Sequence, residues 1–291
     1  MNTSNFQQGS QSAFDDNWQN RSETDYVHWT KTEPANQIQF AFRQHWLLFN
    51  ELLEQQPLKN KEVLEVGCGR GSLSMYFADA GCNCTLIDSS EQAISTARRL
   101  FARNGLNARI EVGNALELND PDDSYDVVFS IGLLEHFDNI AAPLAEQVRV
   151  LKPGGTLFVY VVPEDSGDIQ RDYEWINDLL QASFDGLNNE KDSTPKEKEE
   201  VYRNGYLPQR YVDTLKTLGI PSPEFSGVYS VPMISHSIYF PFTLNNPEME
   251  KILTRHFSNI VSEQTKSSGK NGWLCEAGYG NAFLVWGKKA P

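Results

Sequence analysis

Short apolar segments alternate with helix-like segments between residues 62 and 163, and this alternation limits the possible folds more than any other feature. Each apolar run has the length of a buried strand, and the segments between the runs have helical spacing. Such a pattern predicts an α/β fold: a doubly wound, mostly parallel sheet with right-handed crossovers. We expect seven strands, at residues 62–66, 83–88, 108–112, 125–131, 156–162, 225–231 and 282–287.

The helix after the second strand has the clearest predicted boundaries. Ser89 stands three residues before Gln92, which is the spacing of a capping box, and Gly105 follows the last turn. The apolar spacing predicts further helices at residues 71–80, 142–151, 171–184, 206–220 and 247–262.

The composition of the chain changes outside this alternating region. Residues 1–39 are predicted to form an N-terminal arm and lid, in which aromatic rings pack against the core or a ligand. Residues 40–291 are predicted to form one domain, with cap insertions at about 164–205 and 232–275. The aromatic stretch "PMISHSIYFPF" in the second insertion favours either a substrate with a hydrophobic part or a homodimer contact.

Charge and composition exclude several classes of protein. The net charge of −14 over 291 residues leaves no basic stripe for a phosphate backbone, so nucleic acid is not an expected partner. No apolar run reaches the length of a membrane span, and the N-terminus lacks the order of a signal peptide. The four cysteines have neither paired CxxC spacing nor the density of a disulfide scaffold. We therefore expect a cytoplasmic protein without a metal-ligand cluster.

The segment "EVGCGRG" places three glycines where the first strand turns into a helix. Gly67, Gly69 and Gly71 would allow a ligand to lie against unpaired backbone amides without a Cβ clash. Asp88 ends the next strand, where a carboxylate can accept hydrogen bonds from both hydroxyls of a ribose. The spacing differs from the G-x-G-x-x-G of dinucleotide folds, but it still predicts a nucleoside site at this junction.

Five segments in order resemble motifs of the class I methyltransferases that use S-adenosylmethionine. The resemblance covers about residues 40–163, and the helix–strand–strand order over 206–287 also fits. The matching segments are "EVGCGRG" (65–71), "TLIDSS" (85–90), "GNAL" (113–116), "FSIGLLEHF" (129–137) and "LKPGG" (151–155). Asn114 stands where the family usually has an acid for the adenine amino group, and its amide oxygen can accept the same hydrogen bond.

The resemblance implies a Rossmann-like fold, S-adenosyl-L-methionine as cofactor and methyl transfer to a small molecule. The implied cofactor residues are Glu65, Gly67, Cys68, Gly69, Gly71, Asp88, Ser89, Asn114, Ala115, Ser130, Ile131 and Tyr26. Glu135 and His136 follow the strand that passes under the methyl donor, so they are the candidates for an orienting carboxylate and a general base. Tyr26, His28, Trp29 and Arg43 are candidate lid residues.

The acceptor is expected to be a hydroxyl or an amine of a secondary metabolite, a lipid precursor or a sugar. Lipid C-methylation of the cyclopropane-synthase type is an alternative, although no cysteine precedes Cys68 to help bind an anion. A second alternative is a module that binds the cofactor without catalysis. A nicotinamide-dependent dehydrogenase is a further alternative, and it would bind a nicotinamide cofactor instead of S-adenosylmethionine. A nucleic-acid methyltransferase is disfavoured because "SIGL" stands where an N-P-P-Y motif would be.

Overall fold

The computed structural model describes residues 28–54, 56–163, 202–231 and 247–291. Six helices lie in these residues: α1 Gln37–Leu52, α2 Ser74–Asp79, α3 Glu91–Arg103, α4 Ala141–Val150, α5 Pro208–Thr217 and α6 Pro247–Ser268. A short 3₁₀ turn spans Leu134–His136. The predicted helix at 171–184, the first 27 residues of the arm and the aromatic stretch after Val231 lie outside the described residues.

The described strands form one mixed sheet. They are β1 Glu62–Val66, β2 Asn83–Asp88, β3 Arg109–Val112, β4 Tyr125–Ile131, β5 Leu151–Val161, β6 Glu224–Val228, β7 Leu274–Cys275 and β8 Ala282–Lys288. Their order across the sheet is β3-β2-β1-β4-β5-β8-β6-β7. The pairs among β1 to β5 are parallel, whereas β8 runs antiparallel to both of its neighbours. This arrangement confirms the predicted Rossmann-like, mostly parallel architecture.

The sheet has eight strands where the sequence predicted seven. The extra strand, β7, pairs two residues with Gly227 and Val228 at the sheet edge, and two residues are too few to show a period. Strand β5 also begins earlier than predicted, because Leu151 pairs with Tyr125 before the register shifts. The "LKPGG" segment therefore belongs to the strand rather than to the turn before it.

Helix boundaries differ from the prediction at two functional positions. Helix α3 is capped by Ser90 rather than Ser89, since the Ser90 side chain accepts from the backbone N–H of Ala93. Helix α2 begins at Ser74 instead of residue 71, because the Gly71 amide donates back to the Cys68 carbonyl at 2.7 Å and closes a tight turn first. Helix α1 begins at Gln37, so the predicted boundary between residues 39 and 40 falls in its first turn.

Helices cover both faces of the sheet. On one face α1, α2 and α3 pack against strands, with Phe49 stacked 4.2 Å from Phe158 and Phe77 stacked 5.4 Å from Phe129. On the other face α4 and α5 bury side chains that include Leu144 against the sheet. Strands buried on both faces explain the continuous apolar runs in the sequence. Within the described parts of the chain, no helix combines the length and the apolar character that a bilayer span requires.

Candidate functional site

The chain reverses its direction of winding between β1 and β4, which are neighbours in the centre of the sheet. From β1 the chain proceeds outwards to β2 and β3, and it then returns to place β4 and β5 on the other side. In open α/β sheets, ligands bind outside the carboxyl ends of the strands at such a point. The glycine-rich loop after β1 and the loop after β4 therefore face the expected site.

The glycines of the loop after β1 are required by the backbone and by close packing. Gly67, Gly69 and Gly71 have φ angles of +70°, +51° and +69°, a region that disfavours other residues. A Cβ at Gly67 would lie 2.7 Å from a methyl carbon of Leu133. A Cβ at Gly71 would clash with Leu86. At these two positions protein side chains, rather than a ligand, occupy the space that the missing Cβ leaves.

The amides of this loop are bonded within the protein. The N–H groups of Gly67 and Cys68 both donate to the Ile87 carbonyl, at 2.8 and 3.0 Å, and that of Gly71 donates to Cys68. The Gly69 amide donates to the Asp88 carboxylate at 2.8 Å. The prediction that unpaired amides line the junction is therefore wrong for these four. The loop offers a close backbone surface whose shape is fixed by strand β2.

Asp88 connects the end of β2 to the glycine loop. One of its carboxylate oxygens accepts from the amide of Gly69 at 2.8 Å, and the other accepts from the amide of Ser90 at 2.9 Å. The side chain is half-buried at the carboxyl edge of the sheet. The two amide hydrogen bonds fix the orientation of the carboxylate. This placement fits the sugar-binding role predicted for Asp88.

Glu65 lies behind the glycine loop and is 4% exposed. Its carboxyl group accepts a hydrogen bond from the Ser74 hydroxyl at 2.5 Å, which links β1 to the start of α2. Burial raises the pKa of Glu65 to about 8. Burial also raises the pKa of the neighbouring Cys68 thiol well above its ordinary value. Glu65 is thus mainly protonated at neutral pH, and the Cys68 thiol is not a nucleophile.

The loop after β4 carries both candidate catalytic residues. Glu135 is 1% exposed, and one of its carboxylate oxygens accepts from the amide of Val162 at 3.2 Å. The second oxygen has no hydrogen-bond partner in the part of the chain that the structure describes. His136 Nδ1 donates to the Tyr202 carbonyl at 2.7 Å. These hydrogen bonds join Glu135 and His136 to different segments of the chain.

Burial shifts the pKa values of both residues towards the uncharged form. Desolvation raises the pKa of Glu135 to about 7 and lowers the pKa of His136 to about 4. At neutral pH the imidazole is neutral, and the carboxyl group is poised between its two protonation states. A group with a pKa near the working pH is well suited to exchange a proton with a ligand.

A family model described as "Methyltransferase domain" matches residues 63–155, which hold both loops described above. This region is therefore similar to the class I S-adenosylmethionine-dependent methyltransferases, in agreement with the resemblance in the sequence. The matched region runs from β1 to the middle of β5 and includes the glycine loop, Asp88 and Glu135. The family's methyl donor is S-adenosyl-L-methionine, as the resemblance in the sequence implied.

Relatives with known names share this region with the chain. A ubiquinone biosynthesis O-methyltransferase of Sinorhizobium fredii is 32% identical over 107 residues, which are 37% of this chain and 43% of the relative. An ajmaline N-methyltransferase of Rauvolfia serpentina is 32% identical over 116 residues, 39% of this chain and 40% of the relative. The matches thus span less than half the length of these relatives.

The fold also has a solved counterpart over nearly its whole length. The crystal structure of a candidate sarcosine dimethylglycine methyltransferase from Galdieria sulphuraria superposes with a TM-score of 0.56. It covers 97% of each chain at 17% sequence identity. At that identity the similarity shows the fold of the chain and not its substrate.

The structure places the remaining predicted cofactor residues around the same edge. The Asn114 side chain is exposed, and its oxygen accepts from the Leu116 amide at 2.9 Å. Ser130 is fully buried and donates to Gln147 at 3.4 Å, so only its main chain faces the carboxyl edge. Ala115 and Ile131 are half-buried, and Ser89 is exposed. Tyr26 lies outside the described residues. The cofactor roles of all these residues stay predictions.

Of the predicted lid residues, one reaches the glycine loop. His28 Nδ1 is 2.7 Å from the Ser72 hydroxyl, and its ring stacks 4.8 Å from Phe42. Trp29 packs edge-on against Tyr76, with 6.4 Å between the ring centres. Arg43 instead forms an ion pair with Glu33 at 3.1 Å on the surface.

Asn204, which the sequence analysis missed, holds the loop that carries Glu135 in place. Its side-chain nitrogen donates to the carbonyls of Leu134 and Phe137, at 3.0 and 2.9 Å. Its backbone amide donates to the Glu135 carbonyl at 2.6 Å, and its side-chain oxygen accepts from Tyr211 at 3.3 Å. An Asn-Gly pair in a sequence signals only a turn. The residue's role depends on contacts about 70 positions away, as the separations of 70 and 67 residues show.

The sequence patterns also gave no signal for the buried polar residues Asn281 and His45. Asn281 stands just before β8 with no exposed surface, and neither polar atom of its side chain has a hydrogen-bond partner among the described residues. His45 lies among aromatic rings, 4.7 Å from Tyr160, and accepts a hydrogen bond from Trp273 at 3.0 Å. Burial lowers the pKa of His45 to about 3, so it is a neutral core residue.

Proposed function

We propose that this chain transfers a methyl group from S-adenosylmethionine to a hydroxyl oxygen or an amine nitrogen of a small molecule. The observation that carries the proposal is the hydrogen bond from the Gly69 amide to Asp88. This bond ties the predicted sugar carboxylate to the predicted cofactor loop at the switch point of the sheet. The named relatives include both an O-methyltransferase and an N-methyltransferase, which supports either acceptor atom.

The cofactor supplies a methyl group that its positively charged sulfur activates. The glycine loop would hold the methionine part of the cofactor against the backbone, and Asp88 would accept hydrogen bonds from the ribose. Glu135 would bind or deprotonate the acceptor. The protein's main contribution is then to orient the acceptor in a site from which water is excluded.

Calorimetry with S-adenosylmethionine and S-adenosylhomocysteine tests the cofactor part of this proposal. Both compounds should bind, and Asp88→Ala should weaken binding by about tenfold or more, since two hydroxyl contacts to a carboxylate are lost. Asp213→Ala makes the same change on an exposed residue of α5, and it should bind both compounds like the wild type. Equal affinity of the wild type and Asp88→Ala would contradict the assignment of Asp88. Preference for a nicotinamide dinucleotide would favour the dehydrogenase alternative.

Release of S-adenosylhomocysteine in the presence of candidate acceptors tests the catalytic part. Turnover with alcohols, phenols or amines would support the proposal. Turnover only with unsaturated lipids would favour the cyclopropane-synthase alternative, and tight cofactor binding without turnover would favour a non-catalytic module. A cytoplasmic location and a homodimer stay predictions.

A further inference from the structure

We propose that the acceptor of this methyltransferase is a small cationic amine whose ammonium group faces Glu135 and whose second polar group faces Asn281. The inference rests on the proposed function and narrows its acceptor class. It depends on two buried polar side chains at one edge of the sheet, for neither of which the protein provides full hydrogen bonding.

Strand register brings the two side chains to the same part of the carboxyl edge. Glu135 accepts from the amide of Val162, the residue that follows the end of β5. Val161, at that end, pairs with Phe283 of β8, and Asn281 lies two positions before Phe283. The loop that carries Glu135 follows the carboxyl end of β4 at this edge. Antiparallel β8 begins at the same edge.

Unpaired buried atoms destabilise the folded protein. A ligand that completes their hydrogen bonding is the best explanation for them. Among the described residues, one carboxylate oxygen of Glu135 and both polar atoms of the Asn281 side-chain amide lack hydrogen-bond partners while fully enclosed. Each such group destabilises a folded protein by about 1–3 kcal/mol. Other buried side chains, such as Gln147 and Thr254, also carry an unpaired atom. Glu135 and Asn281 differ from them because both lie at the predicted substrate edge, where a ligand can complete the hydrogen bonding that most buried polar groups have.

The chemistry of Glu135 favours a cation. A buried carboxylate oxygen is satisfied by a donor, and a charged donor forms the stronger bond. Tyrosine rings lie nearby, since the charge of Glu135 contributes to raising the pKa values of Tyr160 and Tyr211. Aromatic faces also attract ammonium groups. The net charge of −14 would draw a cation towards the protein and repel an anionic acceptor.

Other titratable groups near Glu135 do not take the place of this cation. Arg203 acts on Glu135 through its charge, but its side chain is exposed, and the described residues show no ion pair between the two. The neutral His136 donates to the Tyr202 carbonyl. Tyr160 and Tyr211 are uncharged at neutral pH, because burial raises their pKa values. The side-chain amide of Asn281 can both donate and accept, so it would form a hydrogen bond with a hydroxyl or carbonyl on the same acceptor.

Thermal unfolding of the protein saturated with S-adenosylhomocysteine tests the inference. Amines are compared with alcohols of the same skeleton: tyramine with tyrosol, ethanolamine with ethylene glycol, and histamine with its alcohol analogue. We expect at least one amine to raise the unfolding temperature while its alcohol does not, since only a ligand of the folded state stabilises it. The shift should be larger at pH 8 than at pH 6, because ionised Glu135 is the binding form.

Two variants and one control identify the residues. Glu135→Gln should weaken amine binding by about tenfold to a hundredfold, the usual range for loss of a charged hydrogen bond. Asn281→Leu should weaken amine binding less than Glu135→Gln does. It should also reduce the difference between the affinities for tyramine and phenethylamine. Glu224→Gln makes the same charge change on an exposed residue at the start of β6, and it should bind amines like the wild type.

Binding of S-adenosylhomocysteine to Glu135→Gln shows that this variant is folded. If the wild type binds S-adenosylhomocysteine but no amine stabilises it more than the paired alcohol, the inference is wrong and the proposed function stands. Amine binding that is unchanged in Glu135→Gln would overturn it equally. Failure to bind S-adenosylhomocysteine at all would remove the proposed function together with this inference.

Discussion

The two halves of the carboxyl edge differ in how their polar atoms are satisfied. In the half formed by β1, β2 and β3, the amides of Gly67, Cys68 and Gly69 all have partners, and Asp88 accepts two hydrogen bonds. In the half formed by β4, β5 and β8, Glu135 and Asn281 bury polar atoms without partners. We call these the cofactor half and the acceptor half.

The difference indicates two ways of preparing a binding site. The cofactor half fixes its shape through its own hydrogen bonds, so the proposed cofactor would meet a preformed surface. The acceptor half leaves polar groups unpaired among the described residues, so the proposed acceptor would add stability by completing their hydrogen bonding. Sites of the second kind carry specificity, because a ligand lacking the matching groups leaves the protein's own groups unpaired.

Gly71→Ala should disrupt the cofactor half. The added Cβ would clash with Leu86 and lie 3.0 Å from the Phe101 ring, at a φ of +69° that alanine disfavours. We expect the free energy of unfolding to fall by about 2–5 kcal/mol. Gly105→Ala is the matched control, since its φ is +66° but no atom lies within 4 Å of the added Cβ. Urea unfolding of the two variants separates packing from backbone strain, and equal losses would contradict the packing role.

Asn204→Leu should release the loop that carries Glu135. The substitution leaves the carbonyls of Leu134 and Phe137 without their donor and Tyr211 without its acceptor. We expect a loss of about 2–4 kcal/mol in the free energy of unfolding, because several buried groups become unpaired together. Binding of S-adenosylhomocysteine should change less than stability. A variant as stable as the wild type would show that the loop is held by other contacts.

Stability should fall as the pH rises from about 4.5 to 8. Burial raises the pKa of Glu65 from 4.5 to about 8 and that of Glu135 to about 7, so the folded protein retains protons that the unfolded chain has released. The unfolded state then binds fewer protons, and the free energy of unfolding decreases with pH. We expect Glu65→Gln to reduce the loss between about pH 6 and pH 8 by about 1–3 kcal/mol.

Chemical denaturation at several pH values measures this slope. Glu135→Gln should flatten mainly the part below about pH 7, and Glu65→Gln the part that extends to about pH 8. Glu224→Gln on the exposed surface serves as the control and should leave the slope unchanged. A slope that is identical in all four proteins would contradict the burial of both charges.

Asn281→Leu should have the smallest effect on stability and the opposite sign to Asn204→Leu. Its amide has no hydrogen bond to lose, and an apolar side chain of similar size removes the unpaired atoms. We expect the variant to be about 0–1 kcal/mol more stable than the wild type in the absence of ligand. Thermal and urea unfolding of both leucine variants make the comparison. A loss as large as that of Asn204→Leu would show that the Asn281 amide is structurally bonded after all.

Sequence patterns predicted the core strands well because those strands are buried on both faces. The runs at 62–66, 83–88 and 125–131 match β1, β2 and β4 residue for residue. Each is a continuous apolar run bounded by turn residues, so local composition is enough to locate it. Strand β7 and the early start of β5 were missed, since both depend on pairing with distant strands.

The sequence likewise located some parts of the candidate site and missed others. Motif spacing located the glycine loop and Asp88, and it singled out Glu135, because a strand end and the residues after it are neighbours in the chain. Spacing did not show that the loop amides are internally bonded, or that Ser90 rather than Ser89 caps α3. It also missed Asn204 and Asn281, whose roles arise from segments far away in the sequence.

The sequence by itself determined the order of strands and helices along the chain, the resemblance to the methyltransferase family and the carboxylate at the end of β2. These follow from periodicity and spacing along the chain, which are local properties. Only the tertiary structure decided which polar atoms are satisfied and which are buried without a partner. Burial and hydrogen bonding are set by residues that the fold brings together, so the pKa of Glu135 and the unpaired amide of Asn281 exist only in the folded protein.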